Sequence, residues 1–172
     1  MSETAYHSDL LTEIEAWMKR AGATDAHYQA ILDRVLRDFA CTAGTIHSLG
    51  PQSKVLHLRA RRNIPDGMLP RIQRIPIGKG MAGLAAERRQ PVQVCNLQTD
   101  ASGAAQPGAK ETGTEGCIAV PILAGDQVLG VLGIAKPTAY EFNEREITLL
   151  MEIGTVIGKF LVNGESRIRN GG

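Results

Sequence analysis

The chain has 172 residues, of which 43% are hydrophobic and 22% are charged, so it is long enough to bury one core but not two. Its 19 basic and 18 acidic side chains leave a formal net charge of +1, which gives no overall attraction to nucleic acid or to anionic lipid. Three cysteines without a CxxC or Cys/His spacing predict free thiols rather than a disulfide framework or a zinc site.

The sequence also lacks the usual signals for membrane insertion and secretion. No apolar run approaches the roughly 20 residues that a bilayer span needs. The first residues, MSETAYHSDL, have neither the basic flank nor the apolar stretch of a secretory signal. We therefore expect a cytoplasmic protein with no membrane and no nucleic-acid partner.

Two amphipathic helices are predicted at the start of the chain. The first is expected to end at Gly22. Its apolar stripe at helical spacing consists of Leu10, Leu11, Ile14, Trp17 and Met18. The second follows Thr24, a candidate N-cap, and has its own apolar face: Ile31, Leu32, Val35, Leu36 and Phe39.

From Cys41 the hydrophobic period changes to two, and residues 41–49 and 54–60 predict a β-hairpin joined by GPQS. A slip of the register by one residue would bury the polar side chains of the hairpin. The predicted register therefore places the other set of residues against the helices: Gly44, Ile46, Ser48, Leu56, Leu58 and Ala60. The polar set Thr45, His47, His57 and Arg59 is then expected on the opposite face.

The middle of the chain predicts short elements. Residues 71–77 and 91–97 are expected to be strands, and GKGMAGLAAERRQ between them is expected to be a turn that leads into a short helix. Residues 98–116 are small and polar and predict a long loop of the mobile or functional kind. Residues 117–123 and 127–135 predict a second hairpin, apolar enough to supply central strands of an antiparallel sheet.

A capping box at Asn143 and Glu146 predicts the start of a last helix over residues 144–162, followed by a disordered tail over 163–172. This helix is apolar on more than one face. Together with the Trp17 stripe, the surplus predicts a homodimer seam, with residues 1–22 as a dimerisation helix. The alternative, that both helices only cover their own sheet, stays open.

The order of these elements resembles the GAF domain family, with the segments IPIGKGMAG, QPVQVCNL, CIAVPILAGDQVLGVLGIAKP and FNEREITLLMEIG, and assigns residues 23–162 to one GAF domain. The resemblance implies an α/β (α+β), PAS-related fold: a central antiparallel sheet of about six strands, with terminal helices on one face and a ligand crevice on the other. It also implies a dimeric sensory or regulatory domain of signal transduction that binds a small molecule and acts on an output domain or a kinase or transcription partner.

The alternation along the second hairpin agrees with that arrangement. Larger apolar residues are expected against the helices: Ile118, Val120, Ile122, Leu132 and Ile134. Their neighbours Cys117, Ala119, Gly133 and Ala135 are small and would leave room for a ligand in the crevice.

Some relatives are enzymes, the free methionine-R-sulfoxide reductases, which use thiol catalysis. The resemblance places their cysteine at Ala82, their second reactive cysteine in a loop that has none here, and their substrate carboxylates at Cys117, Gly133 and Ala135. We therefore expect no enzyme activity. The alternatives are a thiol-dependent reductase-like enzyme, a redox sensor built on Cys95 and Cys117, and a structural dimerisation module without a ligand.

Cofactors are not expected either. The linking cysteine with its His and Asp motifs that bilin-binding GAF domains need is missing, as is the motif of the cyclic-nucleotide-binding ones. Haem or a metal ion would have only His47 and His57 as ligands, which is too few for a strong site.

Charge is the most informative remaining feature. Residues 59–89 contain eight basic and two acidic side chains, so the elements expected to roof the crevice are locally positive. This predicts a small anionic ligand, with a guanidinium from Arg59 or Arg74 and amide donors from residues 78–83. The alternative is that these basic side chains form a solvated rim of the crevice and bind no ligand. The predicted ligand-binding set is Thr45, His47, His57, Arg59, Arg74, Met81, Ala82, Cys95, Cys117, Ala119, Gly133 and Ala135.

Overall fold

The computed structural model describes residues 3–21, 24–50, 52–104 and 112–170, with Gly22 outside them. These described ranges contain five α-helices, six β-strands and a short 3-10 turn at Asp66–Met68. In chain order the elements are α1 Glu3–Ala21, α2 Asp25–Asp38, β1 Ala43–Leu49, β2 Val55–Arg62, α3 Leu69–Ile72, β3 Arg74–Pro76, α4 Gly80–Arg88, β4 Val92–Val94, β5 Cys117–Ala124, β6 Gln127–Ala135 and α5 Glu144–Asn170.

The strands form one antiparallel sheet in the order β3-β2-β1-β6-β5-β4, which confirms the predicted α/β class and its six strands. The two hairpins, β1–β2 and β5–β6, lie side by side at the centre because their apolar alternation lets both faces be covered. The shortest strands, β3 and β4, are the edges, where brief pairing limits contact with other chains.

The main core lies between the sheet and the helices α1, α2 and α5. It contains the residues predicted for this face from the second hairpin: Ile118, Val120, Ile122, Leu132 and Ile134. The helical stripes complete it, with Leu10, Ile14 and Met18 from α1 and Ile31 and Val35 from α2. A smaller core under α4 covers the other face of the sheet.

The start of α5 has the predicted capping box. The backbone N–H of Asn143 donates to Glu146 Oε1 at 3.1 Å, and the backbone N–H of Glu146 donates to Asn143 Oδ1 at 2.9 Å. The end of the helix differs from the prediction, because α5 continues to Asn170 and residues 163–170 are helical rather than a disordered tail. Among the described helices, none has both the length and the apolar content needed to cross a bilayer.

The prediction for β2 is wrong in part because of a β-bulge. Ile46 pairs with Ala60 but the next residue, His47, pairs with Leu58, so Arg59 is an extra residue in β2. Side chains before the bulge are therefore turned to the opposite face. Leu56 packs in the smaller core under α4 instead of on the terminal helices, and Leu58 lies opposite His47 on the same side.

The prediction for residues 71–77 is also wrong in part. Leu69–Ile72 form a helical turn, α3, and only Arg74–Pro76 pair with β2. Pro70 in the first turn of α3 suits a helix start, because its missing N–H is not needed there. The fourth strand is likewise shorter than residues 91–97 and covers Val92–Val94.

Candidate functional site

A cavity of about 180 Å³ lies on the sheet face away from α1, α2 and α5. The strands β1, β5 and β6 form its floor, and α3, the start of α4 and the segment after β4 form its sides. The residues that line it are Ala43, Gly44, Thr45, Ile64, Met68, Arg71, Ile72, Ile75, Lys79, Gly80, Met81, Ala82, Leu97, Thr112, Thr114, Cys117, Ile118, Ala119, Gly133, Ile134 and Ala135.

Small side chains create the space in the floor. Gly133 lies opposite both Thr45 and Ala119 in the sheet, and cross-strand partners share a face. A Cβ at Gly133 would meet the Thr45 hydroxyl oxygen at 3.4 Å and otherwise only the Ile118 carbonyl oxygen at 3.9 Å. The cavity therefore exists because this row of the sheet carries almost no side-chain volume.

The charged side chains in the wall are both cations. Arg71 comes from α3, and Lys79 precedes α4, whose first N–H groups have no acceptor within the helix. Among the described residues of the wall there is no Asp or Glu. The carboxylate of Asp100 lies near enough to raise the pKa of Cys117, but it accepts hydrogen bonds from Ser102 and is not part of the wall. The described wall is therefore mainly apolar, and its charged side chains are both basic.

Seven predicted site residues line this cavity: Thr45, Met81, Ala82, Cys117, Ala119, Gly133 and Ala135. Whether they bind a ligand stays a prediction. Met81 and Ala82 come from the start of α4, and the placement of the other five follows from the alternation of β1, β5 and β6.

Five predicted residues lie elsewhere. The bulge turns His57 to the side of Ser48, and Arg59 bonds there to the Ser48 hydroxyl at 2.8 Å and to Asp25 of α2 at 3.5 Å. Arg74 is exposed on the edge strand β3, and Cys95 is exposed after β4. The fifth residue, His47, does lie on the cavity face.

His47 is 1% exposed and stands behind the cavity wall rather than in it. Its Nε2–H donates to the Ile72 carbonyl oxygen at 2.8 Å, which attaches α3 to β1. Burial is the main cause that lowers the pKa of His47 to about 4, so the ring is neutral. Its Nδ1 has no hydrogen-bond partner among the described residues.

The sequence prediction counted Arg71 and Lys79 among the eight basic residues of the expected roof but did not include them in the ligand-binding set. Arg71 was assigned to a strand, and Lys79 to the turn before the short helix. Pro70 was the available signal, because proline is favoured in the first turn of a helix. Thr112 and Thr114 add hydroxyl groups from the predicted loop.

Neither Cys117, which lines the cavity, nor Cys41, which packs against the main core, has an activated thiol. Burial, with smaller effects from nearby charge, raises the pKa of Cys117 to about 12, and its Sγ lies 3.3 Å from the sulfur of Met81. Burial likewise raises the pKa of Cys41 to about 11. A thiol of this kind is a poor nucleophile at neutral pH. In the part of the chain that is described, no group of three or more His, Cys, Asp or Glu side chains is placed to hold a metal ion.

The opposite face of the same strands packs closely on α5. A Cβ at Gly154 would lie 3.1 Å from the Pro121 carbonyl oxygen, and one at Gly158 would lie 2.7 Å from the Leu123 carbonyl oxygen. The strand β5 thus has the cavity on one face and the backbone of α5 on the other.

A protein-family model described as a GAF domain matches residues 24–162. The GAF domain of a phosphoenolpyruvate-protein phosphotransferase (ptsP) from Coxiella burnetii is similar over 96% of this chain and 98% of that chain, with 17% identity and a TM-score of 0.80. A free methionine-R-sulfoxide reductase from Neisseria meningitidis, solved with its substrate, is similar over 97% and 95%, with 17% identity and a TM-score of 0.78.

The GAF domain of nlh2 from A. aeolicus in an inactive state is similar over 94% of this chain and 98% of that chain, with 18% identity and a TM-score of 0.72. At these identities the likeness concerns the fold. Comparison with curated protein sequences gives no match.

Proposed function

Because this chain belongs to the GAF domain family, we propose that it is a sensory domain whose cavity binds a small anionic molecule and whose last helix passes the bound state to a partner. The observation that carries the proposal is that both charged side chains among the described lining residues of the cavity, Arg71 and Lys79, are cations. An exposed free thiol at Cys95 is consistent with the reducing cytoplasm.

The two cations are suited to hold an anion. The Arg71 guanidinium presents a planar fork that matches the two oxygens of a carboxylate or phosphate. Lys79 adds a point charge, and the first N–H groups of α4 beside it add donors. Two basic side chains on one wall of a cavity attract an anion and repel a cation.

The sheet offers a route from the cavity to α5. Cys117 and Ala119 line the cavity, and their neighbours Ile118 and Val120 belong to the core under the terminal helices. A ligand that moves β5 therefore also moves the surface on which α5 packs. By linkage, the ligand shifts α5 only as far as its affinities for the two arrangements differ.

The terminal helices are proposed to form a homodimer seam and to carry the signal to an output partner. Within the chain α1 and α5 pack on each other and cover their own sheet, through Leu10, Ile14 and Ile157 among others. Trp17 and Met151 remain only partly buried and are suited to a second copy. Light scattering should give the mass of a dimer for the wild-type chain and the mass of a monomer for Trp17→Glu. A monomeric wild-type chain would contradict the proposed homodimer seam.

Anion binding is tested by calorimetry and thermal shift with a panel of small organic and inorganic anions. We expect at least one to bind, and Arg71→Gln and Lys79→Gln each to weaken binding about tenfold, in line with the loss of one charge-assisted contact. Arg74→Gln is the matched control, because Arg74 has the same charge three residues away but does not line the cavity. Equal effects of Arg71→Gln and Arg74→Gln would show that the anion binds elsewhere.

We also propose that the chain is not a reductase, although free methionine-R-sulfoxide reductases share its fold. Ala82 lines the cavity where the resemblance places a catalytic cysteine, and the Cys117 thiol is protonated at neutral pH. A turnover assay with free methionine-R-sulfoxide and a thiol reductant should give no activity above background. Turnover that is abolished by Cys117→Ser would overturn this proposal.

A further inference from the structure

One wall of the cavity is a short segment with little buried surface of its own. We define this segment, residues 64–73, as the strap; it contains the 3-10 turn and α3 and supplies four lining residues: Ile64, Met68, Arg71 and Ile72. Met68 is its buried side chain, and α3 has no buried residue. The strap is therefore held mainly by individual contacts and not by packing along its length.

The start of the strap is attached to β2. The Arg61 guanidinium donates to the Ile64 carbonyl oxygen at 3.2 Å and pairs with the Asp66 carboxylate at 3.0 Å. The Asp66 side chain is 89% exposed, so this ion pair contributes little to stability.

The end of the strap is attached to the sheet at two points. His47 Nε2–H donates to the Ile72 carbonyl oxygen at 2.8 Å, and the backbone N–H of Leu58 donates to the Gln73 carbonyl oxygen at 3.1 Å. The strands β1, β2 and β6 are paired beneath the His47 ring. Water can therefore reach the buried ring most easily if the strap, the least buried element around it, moves away.

We propose that the strap is an acid-responsive gate: when His47 binds a proton, the end of the strap lifts from β1 and opens the cavity. A charged ring is unfavourable beneath the closed strap because it is cut off from water. The hydrogen bond to Ile72 favours the charged ring, but burial is the larger effect and lowers the pKa of His47 to about 4. An open strap returns water to the ring, so acid shifts the equilibrium toward the open form.

The charged and titratable side chains around His47 are mostly basic. The strand β6 has none, and the other elements near the ring carry His57, Arg59, Arg61, Arg62, Asp66, Arg71, Arg74 and Glu87. The two acidic groups have other neighbours, since Asp66 pairs with Arg61 and the Glu87 carboxylate lies against Gly78. A charge on His57 further lowers the pKa of His47. Burial and His57 thus both oppose a charged ring.

The gate would make ligand binding depend on pH, and this consequence rests on the proposed function. If the ring regains its ordinary pKa of 6.5 when the strap opens, lowering the pH from about 7.5 to about 5 multiplies the ratio of open to closed strap roughly 25-fold. A ligand that contacts Ile64 or Ile72 needs the closed strap, so acid weakens its binding. By linkage, the same ligand keeps His47 neutral.

The test is hydrogen–deuterium exchange of the full chain without a ligand, read by mass spectrometry between about pH 5 and about pH 7.5 and corrected for the intrinsic pH dependence of exchange. We expect the strap to open far more often than β5 and β6. Its opening constant should rise at least fivefold toward the acidic end in the wild-type chain and less than twofold in His47→Gln. His57→Gln is the matched control and should keep most of the rise.

Three results would overturn the proposal. The first is a wild-type strap whose opening constant does not change with pH, which decides the matter even if His47→Gln does not fold. The second is a rise that persists in folded His47→Gln. The third is a strap that opens only together with β5 and β6, because that is global unfolding. None of these results bears on anion binding, which calorimetry at neutral pH tests separately.

Discussion

Buried His47 should make the stability of this domain depend on pH in the mildly acidic range. In the unfolded chain the ring titrates at its ordinary value of 6.5, whereas burial lowers its pKa to about 4 in the folded protein. The folded state therefore binds fewer protons than the unfolded state. The stability that comes from keeping His47 neutral is complete above pH 6.5 and is lost as the pH falls toward 4.

The size of this effect follows from the two pKa values. Lowering the pH from about 7.5 to about 5 should reduce the free energy of unfolding by roughly 2 kcal/mol through His47 alone. His47→Gln should remove this part of the pH dependence, because glutamine does not titrate. It keeps an N–H donor that reaches toward the Ile72 carbonyl oxygen, so some of the tether to α3 survives.

The measurement is urea unfolding followed by circular dichroism at several pH values between about 5 and 7.5. His57→Gln is the matched control, since His57 is only half-buried and lies toward the terminal helices. It should keep most of the wild-type pH dependence, because His57 is the smallest of the causes that shift the pKa of His47. The reasoning is refuted if wild-type and His47→Gln proteins lose the same stability over this range.

Three further predictions test the packing and the thiols. Gly158→Ala should destabilise the domain by about 1–3 kcal/mol in urea unfolding, because the new Cβ would lie 2.7 Å from the Leu123 carbonyl oxygen; a gain of stability, as alanine gives in an unobstructed helix, would contradict the close packing of α5. Asn143→Ala should cost about 1 kcal/mol through loss of the capping box, and no loss would show that the cap contributes nothing. In thiol labelling of the native protein Cys95 should react quickly and buried Cys117 only on unfolding; fast labelling of Cys117 would contradict its burial.

Most of the secondary structure was predictable from local patterns. The apolar spacing of α1 and α2, the alternation of β5 and β6, and the capping box before α5 each involve residues close together in the chain. Such patterns reflect which residues share a face, and burial then follows. The half of the site that lies on the sheet was predictable for the same reason, as Gly133 and Ala135 show.

The other half of the site was not predictable, because it depends on α3 and on the bulge. Arg71 faces the cavity only because residues 69–72 form a helical turn, and the His47 hydrogen bond attaches this turn to β1 from 25 positions away. Arg59 was expected at the cavity, but the extra residue in β2 places it beside Asp25.

The amino-acid sequence by itself determined the class of fold, the two faces of the central strands and the small side chains that leave a cavity between them. Those features depend on periodicity along one strand or helix, which is a local property. Only the tertiary structure decided which cations reach the cavity, because Arg71 comes from the helical turn α3 and the bulge in the β1–β2 pairing places Arg59 elsewhere. The charge of the site was visible in the sequence, but its assignment to Arg71 and Lys79 required the three-dimensional arrangement.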